Sequence, residues 1–117
     1  EPYVYAQTIA GRDAPSFGEA KNSWLTGTAA WNYVAITQWI LGIRPAFDGL
    51  IVDPVIPADW EGFEAVRAFR GATYRITVRR QNGSANSAHK MTVDGQEVAG
   101  KIVPLFEGGE HQVLVTL

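Results

Sequence analysis

The sequence predicts a mixed α and β fold, in which a helical first half is followed by an antiparallel β-sandwich or jelly roll. Two observations lead to this prediction. Apolar side chains recur at helical spacing through the long apolar run of residues 28–41. After Arg44 and Pro45 the pattern changes to an alternation of apolar and polar residues, interrupted at short intervals by turn residues.

The helix is predicted to begin at the Thr-Gly-Thr of residues 26–28, which are common cap residue types, and to end at Gly42. Its apolar residues occupy two faces and leave only a thin polar stripe, which is typical of a buried helix. A small sheet cannot cover both faces, so we expect further helices outside this sequence. Trp31 and Trp39 lie within this helix and are expected to be core residues.

The clearest strand is residues 73–79, where Tyr74, Ile76 and Val78 point to one face and the polar residues between them to the other. Asp94-Gly95 suits a tight hairpin turn with positive backbone angles, and Asn82-Gly83 is a second turn signal. Further strands are predicted at residues 50–52, 63–69, 89–93, 96–98, 101–103 and 111–117, with a glycine pair at 108–109 turning the chain before the last.

Composition excludes several classes of function. A formal net charge of -2 leaves no excess of positive charge for a nucleic-acid backbone or an anionic membrane. The absence of cysteine excludes disulfides and thiolate zinc sites and is compatible with a cytoplasmic protein. The two histidines lack metal-ligand spacing, and no serine stands in a nucleophile elbow. We therefore predict no metal and no cofactor.

The start of the predicted helix is the first candidate binding site. Backbone N–H groups at Thr26 and Gly27, with the positive end of the helix dipole, favour an anion, and glycine allows a close approach. The alternative is that Thr26 or Thr28 is only an N-cap. Gln7 is a second candidate, since its amide can donate to a phosphate oxygen, and the alternative is an ordinary surface glutamine. Trp24, beside this site, is the one tryptophan expected near a ligand.

No acid or base is predicted in this sequence. Asp48, Asp53, Asp59 and Asp94 stand in turn-like contexts, and no two carboxylates are placed on facing elements. Arg79-Arg80 is interpreted as a solvated strand edge that discourages aggregation.

Four blocks of sequence resemble the C-terminal region of the cellobiose-phosphorylase family of inverting glycoside phosphorylases, which includes chitobiose phosphorylases. These blocks are EPYVYAQTIAG, GEAKNSWLTGTAAWNYVAITQWILGIRP, FDGLIVDPVIPADWEGF and FRGATYRITV, and they follow the family's order and spacing. The KNSWLTGTAAW block resembles the cellobiose type. From Arg79 onward the resemblance weakens.

The resemblance implies a piece of a longer enzyme, as does a chain that begins at Glu1 without methionine. Residues 1–46 would be the last helices of an (α/α) barrel, and residues 47–117 a C-terminal jelly roll. The family cleaves cellobiose reversibly with phosphate, giving α-glucose 1-phosphate and glucose with inversion. Its phosphate ligands carry over to Gln7, Thr26 and Gly27, whereas its catalytic acid falls outside this sequence. A homodimer of the full-length protein is also implied.

Two other interpretations stay open. The β half could be an independent carbohydrate-binding sandwich, with aromatic residues such as Trp60 lining an exposed sheet face. It could also be purely structural, closing one end of the barrel and supporting a dimer.

Overall fold

The computed structural model describes residues 4–23, 27–81 and 90–117. The chain forms two compact units, Glu1–Ile36 and Thr37–Leu117. The predicted domain limits, 1–46 and 47–117, follow the family resemblance and stay a prediction. No helix within the described ranges is long and apolar enough to cross a membrane.

The first unit contains a short antiparallel pair of strands and the start of a helix. Strands β1 (Thr8–Ile9) and β2 (Ala20–Lys21) pair in antiparallel register, and helix α1 spans Thr28–Val34. The helical path continues as a π-helical segment, Ala35–Ile40, and Gly42 follows with a positive φ of 71°. The predicted helix and its terminal glycine are therefore confirmed, but only the first half is α-helical.

The expected burial of this helix is not met within the described residues. No residue of α1 is buried, and the side chains of Trp31, Tyr33 and Trp39 are 74%, 63% and 60% exposed. The prediction that Trp31 and Trp39 are core residues is therefore wrong for this chain. The physical reason is that a helix with two apolar faces needs two covering layers.

The second unit is built from two sheets. One has five strands in the order β5-β6-β10-β7-β8, and the other has three in the order β3-β4-β9. The strands are β3 Ile43–Pro45, β4 Gly49–Val52, β5 Gly62–Phe69, β6 Ala72–Arg79, β7 Lys90–Val93, β8 Gln96–Val98, β9 Ile102–Pro104 and β10 Glu110–Thr116. Strands β4 to β10 agree with the predicted strands apart from small shifts at their ends, whereas β3 was not predicted. His89 and the Asn82-Gly83 turn lie outside the described residues.

One hydrophobic core joins the two sheets. Leu50, Val52 and Val103 of the smaller sheet cluster with Tyr74 and Val115 of the larger sheet, all of them fully buried. Along β6 buried residues alternate with more exposed ones, as predicted. The β-rich part of the fold is thus confirmed, while the jelly roll and the (α/α) barrel stay predictions.

The prediction of a purely antiparallel sandwich is wrong at one place. Strand β10 lies parallel to β6 along its whole length, with Glu110 opposite Thr73 and Thr116 opposite Arg79. Its other neighbour, β7, is antiparallel. Between β6 and β10 the chain forms the β7-β8 hairpin and then β9 of the other sheet, and β10 then lies between β6 and β7, which are consecutive strands along the chain. Local turn signals do not reveal such a return.

The hairpin turns follow the local chemistry. Asp94 and Gly95 have φ values of 50° and 81°, as the predicted tight turn requires. Arg70 and Gly71, between β5 and β6, form a second such turn with φ values of 48° and 92°.

Candidate functional site

Gln7 lies in an exposed bend just before β1. Its backbone N–H donates to the Lys21 carbonyl oxygen at 3.1 Å, which extends the pairing of β1 with β2. With the backbone group engaged, the side-chain amide is the group of Gln7 that can reach a ligand. Its neighbour Lys21 forms an exposed ion pair of 3.4 Å with Glu19, so this cation is already partly compensated.

Gly27 occupies the N-cap position of α1, with φ -78° and ψ 3°. Its carbonyl oxygen accepts the Trp31 N–H at 3.0 Å, and no side chain caps the helix at this position. The first turn of α1 contains no acidic side chain, so no carboxylate competes there for the N–H groups. The interpretation of Thr28 as the N-cap is excluded, because Thr28 is the first helical residue.

Thr26 and Trp24 lie outside the described residues, and their assigned roles stay predictions. The described part of the predicted site is therefore Gln7 and Gly27. Both belong to the first unit, in which Gln7 pairs with Lys21 of β2 and Gly27 precedes α1. Neither position carries a charge, so an anion here would be held by neutral N–H donors.

The structure reveals a cluster of charges in the second unit that sequence reasoning missed. Asp53, predicted to be only a turn residue, accepts from Lys101 Nζ at 2.6 Å and lies 3.5 Å from Arg44 Nη2. The Arg44 guanidinium also lies 4.5 Å above the Trp39 ring and donates to the Gln38 carbonyl oxygen at 3.2 Å. The cluster therefore fastens the end of the π-helical segment to the smaller sheet.

Gly42 and its neighbours strengthen the same attachment. Asp53 N–H donates to the Gly42 carbonyl oxygen at 3.0 Å, and Val55 N–H donates to that of Ile40 at 2.9 Å. A Cβ atom on residue 42 would collide with the Asp53 carbonyl oxygen. Only glycine allows the two backbone segments to approach this closely.

Arg80 has a different role from the predicted one. Its guanidinium donates to the carbonyl oxygens of Trp60, Ile56 and Pro57 at 3.2, 3.3 and 3.3 Å, and so it holds the loop before β5. Arg79 is the exposed last residue of β6, as expected for a charge pair at a strand end. The interpretation of a sheet edge is wrong, because β6 is an interior strand between β5 and β10.

The outer face of the larger sheet carries two open cavities along β5 and β6, of about 500 and 310 Å³. The smaller cavity is lined by residues including Glu64, Val66, Arg75, Thr77 and Gln112, none of them aromatic. Phe63 lines the larger cavity but packs against the core. Neither cavity therefore presents an exposed aromatic ring to a sugar. Trp60, which the carbohydrate-binding alternative names, is 41% exposed in the loop before β5 and is not a strand residue, so that alternative stays a prediction.

Two carboxylates of the second unit have shifted pKa values, and both shifts are downward. A hydrogen bond from Arg75 at 2.6 Å lowers the pKa of Glu110, and a hydrogen bond from His111 at 2.7 Å lowers that of Asp94. A general acid in glycoside cleavage needs the opposite, a raised pKa. Within residues 4–23, 27–81 and 90–117, no three side chains of metal-ligand type come together.

Comparison with known proteins shows which family part of the chain resembles. Residues 1–42 match the family described as "Glycosyl hydrolase 94 superfamily, catalytic domain". The match covers the segment that carries Gln7 and Gly27. It agrees with the family resemblance of the sequence blocks.

Three relatives that align with the whole chain are phosphorylases. The chain is 46% identical over 117 residues to an N,N'-diacetylchitobiose phosphorylase of Vibrio proteolyticus and 49% identical over 117 residues to one of Vibrio furnissii. It is 39% identical over 118 residues to a solabiose phosphorylase of Paenibacillus borealis. Each alignment covers 100% of this chain but only 15%, 14% and 15% of the respective relative.

The chain is therefore similar to the glycosyl hydrolase 94 family and to phosphorylases, and it spans about 15% of the length of these relatives. The expected resemblance to this family is confirmed, whereas the phosphorylase activity of the complete protein stays a proposal. The expectation of cellobiose is not confirmed, because these three relatives are named for other disaccharides.

Proposed function

We propose that the chain is part of an inverting glycoside phosphorylase that cleaves a disaccharide reversibly with inorganic phosphate. The observation that carries the proposal is the alignment of the whole chain with three phosphorylases at identities of 39% to 49%. Cellobiose is the proposed substrate, because the KNSWLTGTAAW block resembles the cellobiose type. The products would be α-glucose 1-phosphate and glucose.

A second candidate substrate is N,N'-diacetylchitobiose. It is favoured by the identities of 46% and 49% to the two Vibrio enzymes named for it. The complete enzyme that carries this segment, assayed with phosphate and each disaccharide separately, distinguishes the two. Phosphorolysis of the acetylated sugar alone would exclude cellobiose as the substrate without changing the class of reaction.

In this reaction phosphate replaces the water of an inverting hydrolase. A carboxylic acid protonates the glycosidic oxygen, while phosphate attacks the anomeric carbon from the opposite face. Phosphate is already a nucleophile, so an anion site takes the place of a second carboxylate. The acid would be supplied by sequence outside this chain.

Gln7, Thr26 and Gly27 are proposed to bind the phosphate. The uncapped N–H groups at Gly27, without a carboxylate in the first turn of α1, suit an anion. The exposed amide of Gln7 adds a neutral donor. The second unit is proposed to be structural. A homodimer and a cytoplasmic location are likewise proposed for the complete enzyme.

The test is Thr26→Val in the complete enzyme, with Thr116→Val on β10 as the control for the same loss of a hydroxyl. We expect a rise in the KM for phosphate, with the KM for the disaccharide little changed, in the first variant only. Unchanged phosphate kinetics would leave Thr26 without a role in the site. The isolated 117-residue chain should have no phosphorolytic activity, and measurable activity would contradict the placement of the acid outside it.

A further inference from the structure

His111, on β10, has a hydrogen-bond acceptor at each of its two ring nitrogens. Nδ1 lies 2.7 Å from Asp94 Oδ2, and Nε2 lies 3.0 Å from the Gly108 carbonyl oxygen. A neutral imidazole has one N–H, whereas the charged imidazolium has two. Since a carboxylate and a carbonyl oxygen can only accept, both contacts are hydrogen bonds only when the ring is protonated.

The position of the ring is set by packing. Its centroid lies 3.7 Å from that of Phe106 at an interplanar angle of 15°, and the His111 side chain is 16% exposed. The Tyr74 ring lies 6.0 Å away, and its hydroxyl donates to the Pro104 carbonyl oxygen at 3.5 Å. Stacking on one side and Tyr74 nearby restrict the ring to the geometry in which both nitrogens meet their acceptors.

The charged and titratable groups near the His111 ring come from several structural elements. Asp94 approaches from the β7-β8 turn, and on β6 the Tyr74 ring lies nearby while Arg75 pairs with a carboxylate. On β10 itself the neighbouring Glu110 is exposed and ion-paired with Arg75 at 2.6 Å. Glu107, in the loop before β10, is exposed as well. The carboxylate in direct contact with the ring is therefore that of Asp94.

Asp94 is held in place independently of the histidine. Its second oxygen, Oδ1, accepts the Gln112 N–H at 2.8 Å, and its own N–H donates to the Gln112 carbonyl oxygen at 2.8 Å. The carboxylate would therefore keep its position if His111 lost a proton. The remaining N–H would stay on Nδ1, facing the carboxylate, and the lone pair of Nε2 would then face the Gly108 oxygen.

The contact with Gly108 matters because it holds residues 105–109, the loop between β9 and β10. The end of this loop also meets the β5-β6 hairpin, where Thr73 N–H donates to the Gly109 carbonyl oxygen at 2.9 Å. A Cβ atom on Gly71 would lie 3.1 Å from the Glu107 carbonyl oxygen, so loop and hairpin are closely packed. Repulsion between Nε2 and Gly108 would act directly on this packing.

We propose that His111 is a proton-dependent latch that ties the β7-β8 turn to the 105–109 loop and releases the loop when it loses its proton. The latch is a conformational device at one end of the second unit, separate from the proposed phosphate site. The hydrogen bond to Asp94, followed by that to Gly108, raises the pKa of His111 above its ordinary value. A raised folded-state pKa stabilises the fold below the ordinary value of about 6.5, and this stability is lost as the pH rises through the folded-state pKa.

The first experiment is an NMR titration of the His111 ring in the 117-residue chain. The sequence has two histidines, so His89→Gln leaves His111 as the single reporter. We expect both ring nitrogens to carry protons at pH 6 and the titration midpoint to lie above about 6.5. Asp94→Asn, which retains a residue type that tolerates positive φ, should lower this midpoint. A neutral ring at pH 6 would overturn the proposal.

The second experiment measures loop release in the same His89→Gln chain. Hydrogen-exchange protection factors of the amides of residues 105–109, corrected for intrinsic exchange, should fall at least severalfold across the His111 midpoint. Those of the core strand β6 should stay constant in the same samples. Adding His111→Gln supplies a non-titrating control, in which loop protection should be independent of pH. Equal loop protection on both sides of the midpoint would overturn the latch even if the ring is charged.

Discussion

Gly27→Ala separates a binding role of this position from a structural one. The φ of -78° is accessible to alanine, and an added Cβ would lie 3.5 Å from Trp31 Cδ1, which is ordinary van der Waals contact. The fold therefore has no need of glycine at residue 27. A phosphate oxygen bound to a backbone N–H lies about 2.9 Å from the nitrogen, so a methyl group there would occupy space close to the anion.

Gly27→Ala is expected to affect the stability of the fold less than the binding of phosphate. The free energy of unfolding should fall by no more than about 1 kcal/mol, because alanine is a poorer N-cap than glycine but meets no clash. Loss of close approach should raise the KM for phosphate at least tenfold, or about 1.4 kcal/mol. Steady-state kinetics of the complete enzyme at varied phosphate, together with thermal melts, measure both quantities.

Gly11→Ala is the matched control, since it makes the same change in the same unit. A Cβ on residue 11 would meet no atom within 4 Å, and Gly11 is not among the glycines with positive φ. We expect wild-type phosphate kinetics for this variant. If Gly27→Ala also has wild-type phosphate kinetics at unchanged stability, the reasoning that places the anion at Gly27 is refuted.

Two further predictions concern the helical segment and the site. Gln7→Glu should raise the KM for phosphate about tenfold, because the new carboxylate repels the anion. Gln96→Glu makes the same change of charge on β8 and should leave this KM unchanged. Equal effects of the two variants would contradict a specific role of Gln7 in binding phosphate. Gly42→Ala should destabilise the chain by roughly 3 kcal/mol or more, because it adds a collision with the Asp53 carbonyl oxygen to the strain of positive φ. Gly95→Ala is the control, because residue 95 has a φ of 81° and no atom near the added Cβ; it should lower the free energy of unfolding by only about 1 kcal/mol, measured by urea unfolding. Similar losses of stability in the two variants would contradict a tight contact at residue 42.

Much of the second unit could be predicted from local patterns. The alternation along β6 follows from the two-residue period of a strand with one face on a core, and the burial of Tyr74, Ile76 and Val78 confirms it. The Asp94-Gly95 turn follows from the few residue types that adopt positive φ cheaply. These features depend on residues that are neighbours in the chain.

Less of the candidate site could be predicted from the residues alone. A threonine-glycine pair at a helix start is common in proteins, and the amide chemistry of Gln7 alone did not distinguish it from an ordinary surface glutamine until the family resemblance was considered. The structure assigns the cap to Gly27 and so excludes Thr28 from that role. Trp31 was assigned to the core because it lies on an apolar helix face, but it is exposed in this chain. An apolar face predicts burial without identifying the element that covers it.

Local patterns predicted the helical segment before Gly42, strands β4 to β10 and the tight turn at Asp94, because these depend on side-chain period and on local backbone preferences. Strands β1, β2 and β3 were not predicted. Only the tertiary structure decided that β10 lies parallel to β6. It also decided that Asp53 joins Arg44 to Lys101 and that Asp94 holds His111. The physical reason is that such partners are distant in the chain, and burial of a shared core selects among many pairings that local propensity leaves nearly equal in energy.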